Sequence, residues 1–293
     1  MFKGSIVALI TPFKNDKLDE ENYANLIHHH IANGTNGIVP AGTTGESPTL
    51  SHQEHRKVIE IAVKECKGKI PVIAGTGSNS TSEAVELCKH AEKSGADGLL
   101  IVTPYYNKPT QEGLYQHYKK LNDNVGIPII IYNIPSRSVI DMSVDTMAKL
   151  FELKNIFGVK DATGDLTRVD SQLKAMGKDF LQLTGEDNNA LEFNKRGGKG
   201  CISVTANVAT KLCSEFQAAT LSDKDSLKER AKSINNLLTP LHKALFIESN
   251  PSPVKYAASL LNLSPDDVRL PLVKITDTTK QKVKEALVAA KLI

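Results

Sequence analysis

One structural unit recurs eight times along this chain. It consists of a short apolar run, a cluster of Gly, Thr, Pro or Asn residues, and a longer stretch with helical spacing. The apolar runs occupy residues 5–9, 37–40, 71–75, 98–102, 128–132, 157–160, 180–184 and 200–204, and intervening segments such as 54–67 and 82–93 carry apolar residues on one helical face. Strands that alternate with helices form parallel sheets, so the pattern predicts an α/β protein. Eight units favour a closed (β/α)8 TIM barrel, and an open doubly wound sheet is the alternative.

The pattern changes after residue 222, where strand-like runs end. Segments 224–238, 240–247, 252–261 and 278–292 have helical spacing. We therefore predict a catalytic barrel over residues 1–222 and a C-terminal helical domain over residues 223–293.

Charge and cysteine usage exclude several classes of protein. The 36 basic and 33 acidic side chains give a formal net charge of +3 and form no long basic run, so no nucleic-acid partner is expected. The N-terminal apolar run is too short for a secretory signal, and no later run approaches the length of a membrane span. The four cysteines form no C-x-x-C pair, which is typical of reduced thiols. We expect a cytoplasmic protein without a membrane partner.

Lys160 is the strongest candidate for chemistry. It ends the sixth apolar run, and TIM barrels carry their reactive groups at the C-terminal ends of their strands. Burial there removes water from the amine and favours its neutral, nucleophilic form. A neutral amine condenses with a carbonyl compound, so this position predicts Schiff-base chemistry. The alternative is a solvated lysine in a loop between strand and helix.

Polar residues that suit such chemistry follow other runs. Thr43 and Thr44 lie in a glycine-containing turn whose backbone N–H groups can bind a carboxylate. Tyr132 ends the fifth run, and a phenol can exchange protons with the carbinolamine as it loses water. Arg137 lies in the loop that follows, where its guanidinium can grip a carboxylate at two points. Helix capping by the threonines, core packing of the tyrosine and a surface ion pair of the arginine remain open as alternatives.

Metal and nucleotide sites are not predicted. The three consecutive histidines at 28–30 would point in different directions on a helix, which does not suit one metal ion. Neither a complete dinucleotide fingerprint nor a Walker-type phosphate loop is present.

Four motifs in order carry a family resemblance that covers almost the whole chain: GTTGE at 42–46, YNIPSR at 132–137, GVKDATG at 158–164 and GCISVTAN at 200–207. Together they resemble the dihydrodipicolinate synthase family. The resemblance implies a TIM barrel in which Lys160 forms an imine with pyruvate. The imine condenses with L-aspartate 4-semialdehyde to 4-hydroxy-tetrahydrodipicolinate, the committed step of diaminopimelate and lysine biosynthesis. It implies no metal and no organic cofactor.

The resemblance also implies roles for individual residues. Tyr132, Thr43 and Tyr106 would form a proton relay, with Tyr106 supplied by a neighbouring subunit of a homotetramer built as a dimer of dimers. Thr44 would hold the pyruvate carboxylate and Arg137 that of the semialdehyde. Two further positions match residues whose backbone lines the pocket, Gly185 and Ile202.

Lysine-inhibited members of the family bind free L-lysine in a cleft between subunits. This chain has matching residues at the corresponding positions, so L-lysine is expected as a feedback inhibitor. They are Leu50, His52, His55, Asn79, Glu83 and Tyr105.

Other functions remain as alternatives. Another pyruvate-dependent class I aldolase, of the N-acetylneuraminate lyase or 2-keto-3-deoxy sugar acid aldolase type, would share the lysine and the tyrosine, although Arg137 argues against it. Two further alternatives are a metal-dependent aldolase and a catalytically silent ligand-binding protein. Position 138 is a serine where the family usually has a threonine. We expect this difference to affect only fine substrate specificity.

Overall fold

The computed structural model describes residues 2–293. Its strands, in chain order, are β1 (Gly4–Ala8), β2 (Phe13–Lys14), β3 (Lys17–Leu18), β4 (Gly37–Val39), β5 (Ile73–Gly75), β6 (Gly98–Val102), β7 (Ile129–Asn133), β8 (Ile156–Asp161), β9 (Leu181–Thr184) and β10 (Gly200–Ser203). Strands β2 and β3 form a separate antiparallel hairpin, which the sequence analysis did not predict. The other strands coincide with the eight predicted apolar runs.

Those eight strands form one parallel sheet in the order β4-β1-β10-β9-β8-β7-β6-β5. A parallel bridge between Ile38 and Val72 joins the two ends of this order. The N–H of Ile38 donates to the carbonyl of Pro71 at 3.0 Å, and that of Gly75 donates to Pro40 at 2.9 Å. The sheet therefore closes on itself, which confirms the predicted TIM barrel and excludes the open sheet.

Helices connect successive strands and cover the outside of the barrel. They are α1 (Glu20–Ala32), α2 (His52–Cys66), α3 (Thr81–Ser94), α4 (Gln111–Asn122), α5 (Pro135–Ser138), α6 (Val144–Phe151), α7 (Thr167–Met176), α8 (Ala190–Lys195) and α9 (Thr210–Thr220). The predicted helices over 54–67 and 82–93 correspond to α2 and α3.

Three helices follow the barrel: α10 (Asp225–Ala244), α11 (Ser252–Leu260) and α12 (Asp277–Ala289). The predicted break between 238 and 240 is wrong, because α10 continues through Pro240. A proline inside a helix costs about 3 kcal/mol. Helix α10 packs against α9 and α12, and Leu238 and Leu241 on either side of Pro240 are fully buried. This packing offsets the lost backbone hydrogen bond. A separate domain over 223–293 stays a prediction.

Side-chain alternation along the strands creates two apolar layers. One fills the inside of the barrel and includes Ile130, Tyr132, Leu183 and Ile202. The other lies between the strands and the helices and includes Ile131 and many helical residues. Successive residues of a strand face opposite sides of the sheet, so alternate residues of each strand belong to the same layer.

Two further findings concern residues 2–293. None of their helices combines the length and the apolar character needed to cross a membrane. The four cysteines are all buried and free, as expected from their spacing.

Candidate active site

Lys160 faces the inside of the barrel at the C-terminal end of β8. It is paired in register with Tyr132 on β7, and its Nζ lies 4.0 Å from the centre of the Tyr132 ring. Only 6% of each residue is exposed. Within residues 2–293, the Lys160 amine has no hydrogen-bond or ion-pair partner. The predicted nucleophile and the predicted proton-transfer residue are therefore adjacent, and the amine is not held by a carboxylate.

The neighbouring residue Asp161 shows why this lysine is free. Asp161 faces outward, where its carboxylate accepts hydrogen bonds from Arg168 Nε and Gln172 Nε2, each at 3.1 Å, and from the N–H of Thr163 at 3.0 Å. Strand alternation thus directs the carboxylate towards α7 and the amine into the barrel.

The turn at 42–47, which we call the threonine turn, follows β4. It is closed by hydrogen bonds from the N–H of Gly45 to the Gly42 carbonyl and from the N–H of Glu46 to the Thr43 carbonyl, both at 3.1 Å. No described residue accepts a hydrogen bond from the backbone N–H of Thr43 or Thr44. Free N–H groups in a turn attract anions, so this turn offers a binding site for a carboxylate.

The resemblance predicts that the backbone of Gly185 and Ile202 lines the pocket. A Cβ built on Gly185 would lie 2.8 Å from Ala162 Cβ and 2.9 Å from Lys160 Cε, so a larger residue here would displace its neighbours, the lysine among them. Ile202 is fully buried in the apolar layer inside the barrel. Next to Gly185, the half-buried Glu186 has its pKa raised by burial and by the charge of Asp187, with Lys160 and Arg137 acting in the opposite direction. The mouth near Lys160 thus contains a second ionisable group that sequence reasoning missed.

A cavity of about 390 Å³ borders Tyr132, whereas Lys160, Thr44, Gly185 and Ile202 are not among the residues that line it. Thr43, Tyr132, Arg137 and Ser138 are part of its lining. Arg137 comes from the short helix α5 after β7 and is exposed, and it also borders an outer groove formed by the C-terminal segments. Its guanidinium stands at the entrance, where a carboxylate-bearing substrate would arrive.

The same cavity extends to five of the six residues predicted to bind L-lysine: Leu50, His52, His55, Glu83 and Tyr105. Glu83 Oε1 lies 3.1 Å from His52 Nε2, and Ser78 Oγ donates to its other oxygen. Burial lowers the pKa of His55 to about 4, so its ring is neutral near pH 7. The sixth residue, Asn79, borders this region and donates from Nδ2 to the Tyr105 carbonyl at 3.2 Å.

Tyr106 is not part of this cavity. The residue is 88% exposed, and its φ of 72° lies in the left-handed region. The structure therefore brings together Lys160, Tyr132 and Thr43 but leaves the third predicted relay residue on the surface of this subunit.

Two functional contacts were missed by sequence reasoning. Asn250 Nδ2 donates to Thr44 Oγ1 at 3.0 Å, and Lys255 Nζ pairs with Glu46 Oε1 at 2.6 Å. The cue for the second contact was a lysine between Val254 and Tyr256 in an apolar helical segment, but such a position does not identify the partner. Residues 2–293 contain no group of three or more His, Cys, Asp or Glu side chains placed to hold a metal ion.

A parallel barrel with an unpaired, buried lysine beside a phenol and a carboxylate-binding turn defines the class of Schiff-base-forming lyases. Residues 1–290 match the model of the Dihydrodipicolinate synthetase family, and the chain belongs to this family. It is 71% identical over 293 residues to the 4-hydroxy-tetrahydrodipicolinate synthase of Pelagibacter ubique, with 100% of both chains covered.

Solved structures agree with this assignment. A chloride-inhibited dihydrodipicolinate synthase from Acinetobacter baumannii, complexed with pyruvate, is 46% identical and covers 100% of both chains with a TM-score of 0.96. A dihydrodipicolinate synthase from Cyanidioschyzon merolae with lysine bound is 36% identical, with a TM-score of 0.96 over 100% of this chain and 99% of that one.

Proposed function

We propose that this protein is a lyase that condenses pyruvate with L-aspartate 4-semialdehyde to 4-hydroxy-tetrahydrodipicolinate. The observation that carries the proposal is the position of Lys160 Nζ, 4.0 Å above the Tyr132 ring and without a carboxylate partner in the part of the chain that the structure describes. Family membership and the pyruvate-bound relative support the identity of the keto acid.

The reaction begins when the Lys160 amine attacks the keto carbon of pyruvate. Tyr132 and Thr43 move protons while the carbinolamine loses water and becomes an imine. The free N–H groups of the threonine turn hold the pyruvate carboxylate next to the amine. This placement makes the attack effectively intramolecular.

Loss of a proton from the former methyl group turns the imine into an enamine. Its terminal carbon attacks the aldehyde carbon and forms the new C–C bond, while Arg137 holds the carboxylate of the semialdehyde. The amino group of the semialdehyde then attacks the imine carbon, closes the ring and releases the Lys160 amine. One water is lost overall, and the enzyme returns to its starting state.

Borohydride reduction tests the proposed imine. Incubation with pyruvate and sodium borohydride should add the mass of one reduced pyruvate to the chain, and peptide mapping should place it on Lys160. Lys160→Ala should remain unmodified, whereas a change at the exposed Lys199, Lys199→Ala, should not affect labelling. Labelling of Lys160→Ala to the wild-type extent would refute the assignment.

We also propose that L-lysine inhibits the enzyme through the Glu83 end of the cavity. The Glu83 carboxylate suits the amino group of the ligand, and the cavity runs from there to Thr43 and Tyr132 without interruption. The lysine-bound relative supports the choice of ligand. Glu83→Ala should abolish inhibition by millimolar L-lysine, while Glu86→Ala, an exposed change on the same helix, should keep it. A wild-type enzyme insensitive to lysine would end this proposal.

Tyr106 leads to a proposal about assembly. We propose a homotetramer, a dimer of dimers, in which Tyr106 completes the relay of a neighbouring subunit. Support comes from the exposure of Tyr106 outside its own cavity. Mixing inactive Lys160→Ala subunits with Tyr106→Phe subunits should restore activity, because a hybrid pair contains one complete site. Absence of recovery in verified hybrids would place Tyr106 outside the relay of the partner.

Cytoplasmic location is part of the proposal and is supported by the four free thiols.

A further inference from the structure

Lys255 is a second buried lysine that the reaction does not use. It lies on α11 with 0% of its surface exposed. Its Nζ donates to Glu46 Oε1 at 2.6 Å and to the Thr11 carbonyl at 2.8 Å, and it lies 4.4 Å from the centre of the Phe13 ring. The amine is therefore surrounded by partners and has no room for a substrate.

Its partner Glu46 belongs to the threonine turn. This residue has a φ of 56°, in the left-handed region that non-glycine residues adopt only when their surroundings hold them there. Its side chain is also fully buried. Oε2 accepts the backbone N–H of Arg269 at 3.0 Å, so both carboxylate oxygens are bound by the C-terminal segments.

The same C-terminal segments contact the turn a second time. Asn250 precedes α11 and donates to Thr44 Oγ1, as described above. The threonine turn is thus held at Thr44 by Asn250 and at Glu46 by Lys255 and Arg269. Thr11 Oγ1 adds a hydrogen bond to the Gly45 carbonyl at 2.7 Å from the barrel side.

Stability alone gives little reason for such a pair. A fully buried ion pair is often no more stabilising than well-packed apolar residues of the same size, because both charges lose their hydration. A charged pair with short, directional hydrogen bonds does, however, fix geometry more narrowly than apolar contacts do. This narrow geometry matters at a turn whose N–H groups must meet a substrate carboxylate.

We propose that Lys255 and Glu46 are positioning residues that orient the threonine turn towards the keto acid on Lys160. The inference rests on the proposed function. The pair acts through Thr43 and Thr44 and touches no substrate. Through these contacts, the C-terminal segments help to shape the active site.

The test separates positioning from folding. The double variant Glu46→Leu/Lys255→Met removes both charges and leaves neither one buried alone, so it should fold with a Tm close to that of the wild type. We expect its kcat/KM for pyruvate to fall by about 10–100-fold, since small misplacements of binding groups have effects of this size. The kcat/KM for the semialdehyde should fall by a smaller factor, because Arg137 lies on α5, outside the turn.

A milder variant covers the case in which the double variant does not fold. Glu46→Gln retains the shape of the side chain and weakens the pair, and it should show the same selective loss for pyruvate. The matched control is Glu215→Gln, which weakens the surface ion pair between Arg230 Nη2 and Glu215 Oε2 at 2.9 Å, involves no residue that holds the turn and should keep wild-type kinetics.

Borohydride trapping distinguishes the two possible failures. If wild-type protein and pyruvate give no adduct on Lys160, the proposed function fails. If the wild type is labelled and a folded Glu46→Leu/Lys255→Met or Glu46→Gln enzyme has wild-type kcat/KM for pyruvate, the positioning role is refuted.

Discussion

The two buried lysines of this protein occupy opposite kinds of surroundings. Lys160 and Lys255 are 6% and 0% exposed, and each amine lies over an aromatic ring, that of Tyr132 or that of Phe13. Lys255 adds a carboxylate and a carbonyl as partners, whereas Lys160 has neither among residues 2–293. Burial lowers the pKa of Lys255, and Glu46 opposes that shift.

This difference separates a structural amine from a reactive one. An ion pair keeps a buried lysine charged and engaged, so it cannot attack a carbonyl group. Without such a partner, the lysine remains available to a substrate, and a binding group elsewhere must supply the electrostatic complement. Under the proposed function, the complement at Lys160 is the carboxylate of the arriving keto acid, bound by the threonine turn.

Removal of Lys160 should give the largest effect on activity. Lys160→Ala deletes the nucleophile, so turnover should fall to background and no borohydride adduct should form. Lys160 has no ion-pair partner among residues 2–293, so the thermal melting of the variant should stay close to that of the wild type. Steady-state assays and melting curves check both statements, and turnover near the wild-type rate would remove the proposed contrast between the lysines.

Removal of the Tyr132 hydroxyl should come next. Tyr132→Phe keeps the ring beneath Lys160 but removes the proton-transfer group, so kcat should fall by about 10²–10⁴-fold. Phe13→Leu removes the ring beneath Lys255 and Arg269 but no proton-transfer group, so it should lower kcat much less than Tyr132→Phe does. Equal losses in the two variants would show that packing beneath the amine, and not the hydroxyl, determines the rate.

Removal of Lys255 should instead lower stability. Lys255→Met leaves the Glu46 carboxylate buried and unpaired, which should cost about 3–5 kcal/mol in the free energy of unfolding. Denaturant titration measures this loss, and Glu46→Leu introduced together with Lys255→Met should recover most of it. If Lys255→Met is as stable as the wild type, the pair is not the structural contact that its distances indicate.

The smallest effect concerns Glu186 near Lys160. Burial raises its pKa, and a carboxyl group with a raised pKa stabilises the folded state below its unfolded pKa and loses that contribution as the pH rises through the folded value. Glu186→Gln should therefore raise Tm at pH 7.5 by a degree or two, on the order expected for a change below about 1 kcal/mol.

The pH dependence provides the check on this variant. The difference in Tm between Glu186→Gln and the wild type should shrink as the pH falls towards about 4, where the glutamate is protonated in both states. A lower Tm of the variant at pH 7.5 would mean that Lys160 and Arg137 stabilise the Glu186 carboxylate by more than its burial costs. The region around Lys160 would then resemble that around Lys255, where a carboxylate is paired with a cation.

Much of this protein was readable from the chain itself. Apolar runs that alternate with helical segments predicted the barrel because both periodicities are local properties of the backbone. Lys160 was found because a lysine directly after a buried strand has few ordinary explanations. The helix break predicted at Pro240 is wrong because α10 is held intact by tertiary packing against α9 and α12, which the local sequence pattern around a proline does not show.

The sequence pattern thus determined the fold class, and the motifs predicted Lys160 as the nucleophile. Only the tertiary structure decided which buried lysine is free and which is paired. Glu46 and Lys255 are separated by 209 residues, and Thr44 and Asn250 by 206. Contacts across such separations leave no periodic trace in the sequence, because they arise only when the barrel closes and the C-terminal helices pack against it.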